Sequence, residues 1–218
     1  MAKKIEVFQD MKIQGPIEKR SDLRLALIAS TIAPWRFDPD KSAEVARNAM
    51  TSDDVLLFRC DANNNHPAAG LTLWGIPEGY YVPNIVPLQN GSLTYYEYNA
   101  VLASFLICMV EPIAEKFGFE VSITKPSQDI DDWLSSDAAT KLRRFSGAAN
   151  KSTGASHPMD ERRWFDFLIA VHRNGEDLGS DRLARWLHEI EGWDEETAHD
   201  LAGDFENALS LLAHYDEN

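Results

Sequence analysis

The sequence predicts an α+β protein: an N-terminal antiparallel sheet with a long packed helix, followed by a C-terminal helical bundle. Three observations carry this expectation. Short apolar runs separated by turn residues fill the stretch from Asp54 to Val86, the pattern of an antiparallel meander. One long apolar segment, Tyr95 to Phe117, opens on Thr94 and Glu97 at capping-box spacing and stops at Gly118. From Asp129 onward, apolar residues recur at the three- and four-residue spacing of amphipathic helices. At 218 residues and 44% hydrophobic, the chain is long and apolar enough to bury a core without staples. The expected division is a sheet-containing part over 1–126 and an acidic helical part over 127–218, packed as one compact unit.

The elements follow in order. Lys4 to Met11 reads as a first strand. Ser21 to Ile32 reads as a helix capped by Ser21, with Leu25, Ile28, Ala29 and Ile32 on its apolar face. Pro34 and Pro39 bound a loop holding Trp35, and a short helix from Asp40 to Met50 follows. Asp54 to Cys60, Gly70 to Ile76 and Tyr80 to Val86 are strands, the first two joined by the polar turn cluster Asp61–Pro67. The Tyr95–Phe117 helix is apolar nearly all round and belongs across the sheet, with Pro112 kinking it near 108–112. Phe119 to Thr124 alternates as a further strand. Ser136 caps a helix to Phe145, and His157-Pro158 opens another carrying Trp164, Phe167, Leu168 and Val171. Ser180 caps a short helix with Leu183, Leu187 and Ile190. Asp194 opens the last, with Ala198, Leu201, Ala202, Phe205, Leu209 and Leu212 inside.

Charge is the most informative bulk property. The formal net charge is −14, and −11 of it falls between Asn174 and the end, where thirteen acids face only Arg182 and Arg185. Such a field repels nucleic acid and anionic membrane and attracts basic partners. The only two cysteines, Cys60 and Cys108, sit in or beside apolar runs and read as reduced buried thiols. No secretory signal follows Met1-Ala2-Lys3-Lys4, and the most apolar stretch, Ala100–Val110, is shorter than the ~20 residues of a bilayer span. The expectation is a soluble cytoplasmic protein.

No phosphate-binding glycine loop, HExxH or nucleophile elbow occurs, and the six histidines are not paired at ligand spacing. Catalytic and metal residues are therefore expected to be none, and cofactors none. Reactive polar groups do concentrate between two predicted helices: Asn150, Lys151, Ser152, Thr153, Ser156, His157, Asp160 and Arg163. In an enzyme, Ser156 and His157 would serve as nucleophile and base with Asp160 orienting. Adjacent side chains usually diverge, however, and Asp160 falls at a capping position, so an ordered interaction loop is the stronger expectation. A second candidate surface is acidic and aromatic: Glu189, Glu191, Asp194, Glu195 and Glu196 flank Trp186 and Trp193. Carboxylates around aromatic anchors would suit a basic protein partner. A third, Trp74 to Pro87, is rich in proline and aromatics; it reads as sheet packing or a recognition edge.

Three segments, Tyr80-Tyr-Val-Pro-Asn-Ile-Val-Pro87, Gly91-Ser-Leu-Thr-Tyr-Tyr-Glu-Tyr-Asn99 and Ala149-Asn-Lys-Ser-Thr-Gly-Ala-Ser-His-Pro-Met-Asp160, resemble bacterial immunity or antitoxin-type proteins of toxin and defence loci. The resemblance covers roughly residues 74–170 and carries over no catalytic residue. It implies an immunity protein or antitoxin; the acidic charge in turn suits a basic toxin, such as a nuclease, as the partner it would bind and neutralise. The alternatives are a hydrolase or nuclease using the Asn150–Arg163 segment, and an assembly component of a defence complex.

Overall fold

A computed structural model describes residues 3–48, 54–176 and 178–217. The chain divides into two compact units, one formed by Val7–Pro126 and the other by the residues up to Glu6 together with Ser127 onward. The expected first strand, Lys4–Met11, is thereby split. Ile5–Glu6 (β1) belongs with the helical unit, and Met11–Gln14 (β2) belongs to the sheet.

In the sheet unit β2 leads to Arg20–Ala29 (α1), Trp35–Phe37 (β3), Pro39–Asn48 (α2), Val55–Cys60 (β4), Ala69–Ile76 (β5) and Gly79–Pro87 (β6). Tyr95–Phe105 (α3) and Glu111–Phe117 (α4) follow, joined through a π-turn at Leu106–Val110, and Glu120–Ile123 (β7) closes the unit. The six strands run in the order β3-β4-β5-β6-β2-β7, every neighbouring pair antiparallel. Period-two alternation sends Met11 and Ile13 of β2, and Leu56, Phe58 and Cys60 of β4, to the core. Gly79 lets β6 approach β2: its φ is +155°, and a Cβ there would lie 1.9 Å from the Ile13 carbonyl oxygen. Of the Trp74–Pro87 segment, Tyr80 and Ile85 pack inward and Val86 is exposed.

The capping box at the start of α3 is present. Thr94 Oγ1 accepts from the Glu97 N–H at 3.2 Å, and the Glu97 carboxylate accepts from the Thr94 N–H at 2.9 Å. The Thr94 N–H, and then the Thr94 hydroxyl, donating to it hold the Glu97 carboxyl below its usual range. Val101, Leu102, Phe105, Met109, Val110, Ile113 and Ala114 are buried against the sheet. Phe105 contacts Trp35 and Phe58, with ring centroids at 4.9 and 5.2 Å. The break expected near Pro112 is the π-turn just before it. Pro112 itself is the second residue of α4, directly after the π-turn, and its missing N–H leaves one bond of the helical run unmade there. Gly118 ends α4 in the left-handed conformation, φ 76°.

Three expectations in this unit are corrected. Trp35 lies on edge strand β3, because both prolines fall outside the residues that pair with β4. The buried stripe of α1 is Leu23 and Leu27, while Leu25 is 62% exposed and Ile32 lies beyond the helix end. Ser21 is not its cap; the N-cap position is Lys19, following a 3-10 turn at Ile17–Lys19. α1 is tied to the sheet by charge: Asp54 receives Arg20 at 2.6 Å, Arg24 at 3.1 Å and the Tyr80 hydroxyl at 2.7 Å. Burial, then Asp54, push the Tyr80 phenol well above its ordinary pKa. Cys60 is buried and Cys108 partly so, both as free thiols. The second predicted helix matches α2 as far as Asn48; residues 49 and 50 of that expectation lie outside the described residues.

In the helical unit β1 pairs antiparallel with Ser127–Gln128 (β8). Then come Ser136–Ala148 (α5), Pro158–Asn174 (α6), Ser180–Arg185 (α7) running into a π-turn at Trp186–Ile190, and Glu195–Asp216 (α8). Apolar stripes at helical spacing meet in a core rich in aromatic rings. Phe145 packs on Trp164 and Trp193, and Phe167 stacks on Phe205. Two caps move by one residue: Ser135 caps α5, and Gly179 precedes α7, whose first residue is Ser180. Leu209 and Leu212 are only half-buried. Among the described residues no helix is long and apolar enough to cross a membrane.

Candidate functional site

The polar segment between α5 and α6 is an ordered turn. The Asn150 carboxamide accepts from the Ser152 N–H at 3.0 Å and from its hydroxyl at 2.9 Å, an Asx-type turn. The Asn150 carbonyl accepts from the Gly154 N–H at 3.0 Å. Lys151 is drawn in to the Glu191 carbonyl. His157 is the N-cap of α6, its Nδ1 accepting from the Met159 N–H at 3.2 Å, and Asp160 pairs with Arg163 at 2.6 Å. Thus Asn150, Lys151, His157, Asp160 and Arg163 each serve a neighbouring part of the fold. Ser156 is exposed beside them. His157→Ala should lower stability by about 0.5–2 kcal/mol through the lost cap. Thermal or chemical unfolding checks this, and an unchanged midpoint would show that the cap is energetically idle.

The acidic–aromatic surface is corrected by burial. Trp186 is 1% exposed and Trp193 2%, so neither is an anchor for a partner; both are core. Their indole N–H groups are used internally. Trp186 donates to Asp129 at 2.9 Å. Trp193 donates to Ser146 Oγ at 2.7 Å, and Ser146 in turn donates to Glu191 at 2.8 Å. Glu191 is therefore the end of a partly buried polar chain. Glu189 pairs with Arg185 one turn earlier at 2.7 Å. Asp194, Glu195 and Glu196 are exposed at the start of α8, where carboxylates complement the helix dipole.

What the polar segment and the acidic helix do build together is a groove of about 540 Å³ between α6 and α8. One end is closed by Ser152–Ser156. Its floor is apolar: Trp164, Leu168 and Leu201. Glu161 stands on the α6 wall, Asp200 and Asp204 on the α8 wall, and no lysine or arginine lines it. Phe165, on the α6 rim, is 49% exposed. Of the predicted site residues, Ser152, Thr153 and Ser156 line this groove. Glu161, Phe165, Asp200, Asp204 and Ala208 were not singled out by the sequence reading. A readable signal existed, an aromatic residue on the side of α6 away from the Phe167–Val171 stripe. Among the described residues no group of three or more His, Cys, Asp or Glu is arranged to hold a metal ion.

Comparison with known proteins bears on this unit. Residues 139–211 match a family model described as a domain of unknown function, DUF1889. Every residue lining the groove falls within the matched stretch. No curated protein and no solved structure matches the chain.

Proposed function

We propose that this chain is an immunity or antitoxin-type protein of the cytosol, which binds and neutralises a basic toxin through its acidic helical unit. The observation that carries the reading is the α6–α8 groove, whose apolar floor and carboxylate walls have the make-up of a protein-docking surface for a cationic partner. The charge distribution supports it, with −11 between Asn174 and the end. The internal use of His157 and Asp160 as cap and ion-pair partner favours binding over hydrolysis by the Asn150–Arg163 segment.

The partner is to be captured from the native cytosol and expressed alone and with this chain. Growth arrest by the partner, relieved by co-expression, is the expected result. In purified form, Glu195→Lys with Glu196→Lys should slow association about three- to tenfold at low salt. The difference should fade near 1 M salt, where screening shortens to ~3 Å. A captured partner that is not toxic, or an association rate indifferent both to salt and to the reversals, contradicts the proposal.

A further inference from the structure

We infer that the α6–α8 groove receives one face of a basic amphipathic helix of the partner, its apolar side chains on the Trp164–Leu168–Leu201 floor and its lysines or arginines against Glu161, Asp200 and Asp204. This deepens the protein-binding reading and rests on it.

The argument begins with shape. Thr197, Leu201, Asp204 and Ala208 line the groove along α8, which at 1.5 Å per residue is roughly 16 Å, about three helical turns. A volume of about 540 Å³ is too small for a whole helix of that length, some 10 Å across, but suits the side chains of one face. Two helices flanking an apolar trough is the geometry in which a third helix docks through anchors at i, i+3 or i+4, and i+7.

The second observation is the exposed apolar surface. The large exposed hydrophobic residues of the helical unit, among the described residues, are Met159, Phe165, Ile169, Leu211 and Tyr215, all on α6 or α8. Ile169 follows Phe165 by one helical turn. Leu211 and Tyr215, 68% and 78% exposed, extend the line of Asp204 and Ala208 beyond the groove. Exposed apolar residues gathered on these two helices of an otherwise charged unit mark an interaction site.

Charge selects the occupant. Three carboxylates line the walls without a base among them, so a second copy of this acidic chain is repelled and a cationic segment is drawn in. Nucleic acid is excluded on the same ground.

The test uses the full chain and two labelled synthetic peptides of about 14 residues, one a Leu/Lys amphipathic helix and the other its Leu/Glu counterpart, roughly 21 Å long when helical. Binding is read by fluorescence anisotropy at moderate salt. The Leu/Lys peptide should bind and the Leu/Glu peptide should not. Ala208→Trp, which fills the trough without changing charge, should weaken binding by about tenfold or more. Phe165→Ser, at an exposed position, provides a second shape variant whose folding is not in question. Asp200→Asn with Asp204→Asn should weaken binding by a similar factor. Glu206→Gln with Glu217→Gln, an equal loss of charge outside the groove, should change it less than about twofold.

Equal losses from the two charge pairs would mean diffuse attraction and overturn the inference. So would equal binding of both peptides, no binding of the Leu/Lys peptide, or indifference to Ala208→Trp and Phe165→Ser. If the captured toxin still associates in a manner sensitive to Glu195 and Glu196 while these groove variants leave it unaffected, neutralisation stands and the groove assignment falls. If no basic partner associates at all, the functional reading itself falls.

Discussion

Phe105→Ala is expected to destabilise the sheet unit by about 3–5 kcal/mol, and Leu102→Ala by about 2–5 kcal/mol. Both side chains are fully buried in the cluster that α3 and α4 make with the sheet. Phe105 loses the most because its ring is held between Trp35 and Phe58, at 4.9 and 5.2 Å. Truncation removes the transfer energy of the ring and leaves a cavity against Trp35 of β3 and Phe58 of β4. Ile107, on the same helical run but 62% exposed, is the control, and Ile107→Ala should cost less than about 0.5 kcal/mol. Chemical denaturation decides it. A loss below about 1 kcal/mol at both Leu102 and Phe105 would mean that the long helix is not the core of this unit.

Trp193→Ala should cost the helical unit about 3–5 kcal/mol, with little direct effect on partner association. The indole stacks on Phe145 at 5.4 Å and donates to Ser146, so its removal opens a cavity and strips the buried Ser146 hydroxyl of a donor. Trp193→Phe separates the two losses, since the ring volume is largely kept and the N–H is gone. That variant should cost about 1–3 kcal/mol. A cycle with Ser146→Ala measures the coupling, and additive single effects would show that the hydrogen bond contributes nothing. Retained stability in Trp193→Ala with weakened association would return this tryptophan to the role of a binding anchor.

The contrast between the two tryptophans and the groove shows what kind of information was readable. Local chemistry was legible where one residue determines the outcome: Thr94 and Glu97 as a capping box, Gly118 as a left-handed stop, His157-Pro158 as a helix start. The meander strands followed from short apolar runs between turn residues. Facing was less legible. α1 carries two apolar stripes, Leu23–Leu27 and Leu25–Ile28, and only the register against the sheet chooses between them. Trp186 and Trp193 sit among carboxylates in the sequence, and that density suggested a surface. The π-turn at Trp186–Ile190 and the turn after it carry both rings inward while the acids stay out. The groove needed the packing of α6 on α8, so no single stretch of sequence announced it. Phe165 and Ile169, apolar residues off the buried stripe of α6, hinted at it.

The pairing of β1 with β8 has a consequence for synthesis. Ile5 and Glu6 leave the ribosome well before their partners, Gln128 and Ser127, which emerge only after the whole of Val7–Pro126 has been made. The intervening unit closes on itself, the Val7 N–H donating to the Pro126 carbonyl at 3.0 Å, so its two ends already lie side by side when it folds. Folding in order of emergence therefore turns a 120-residue loop closure into the meeting of two adjacent ends, and the entropy of that closure is met by the sheet unit before the helical unit begins.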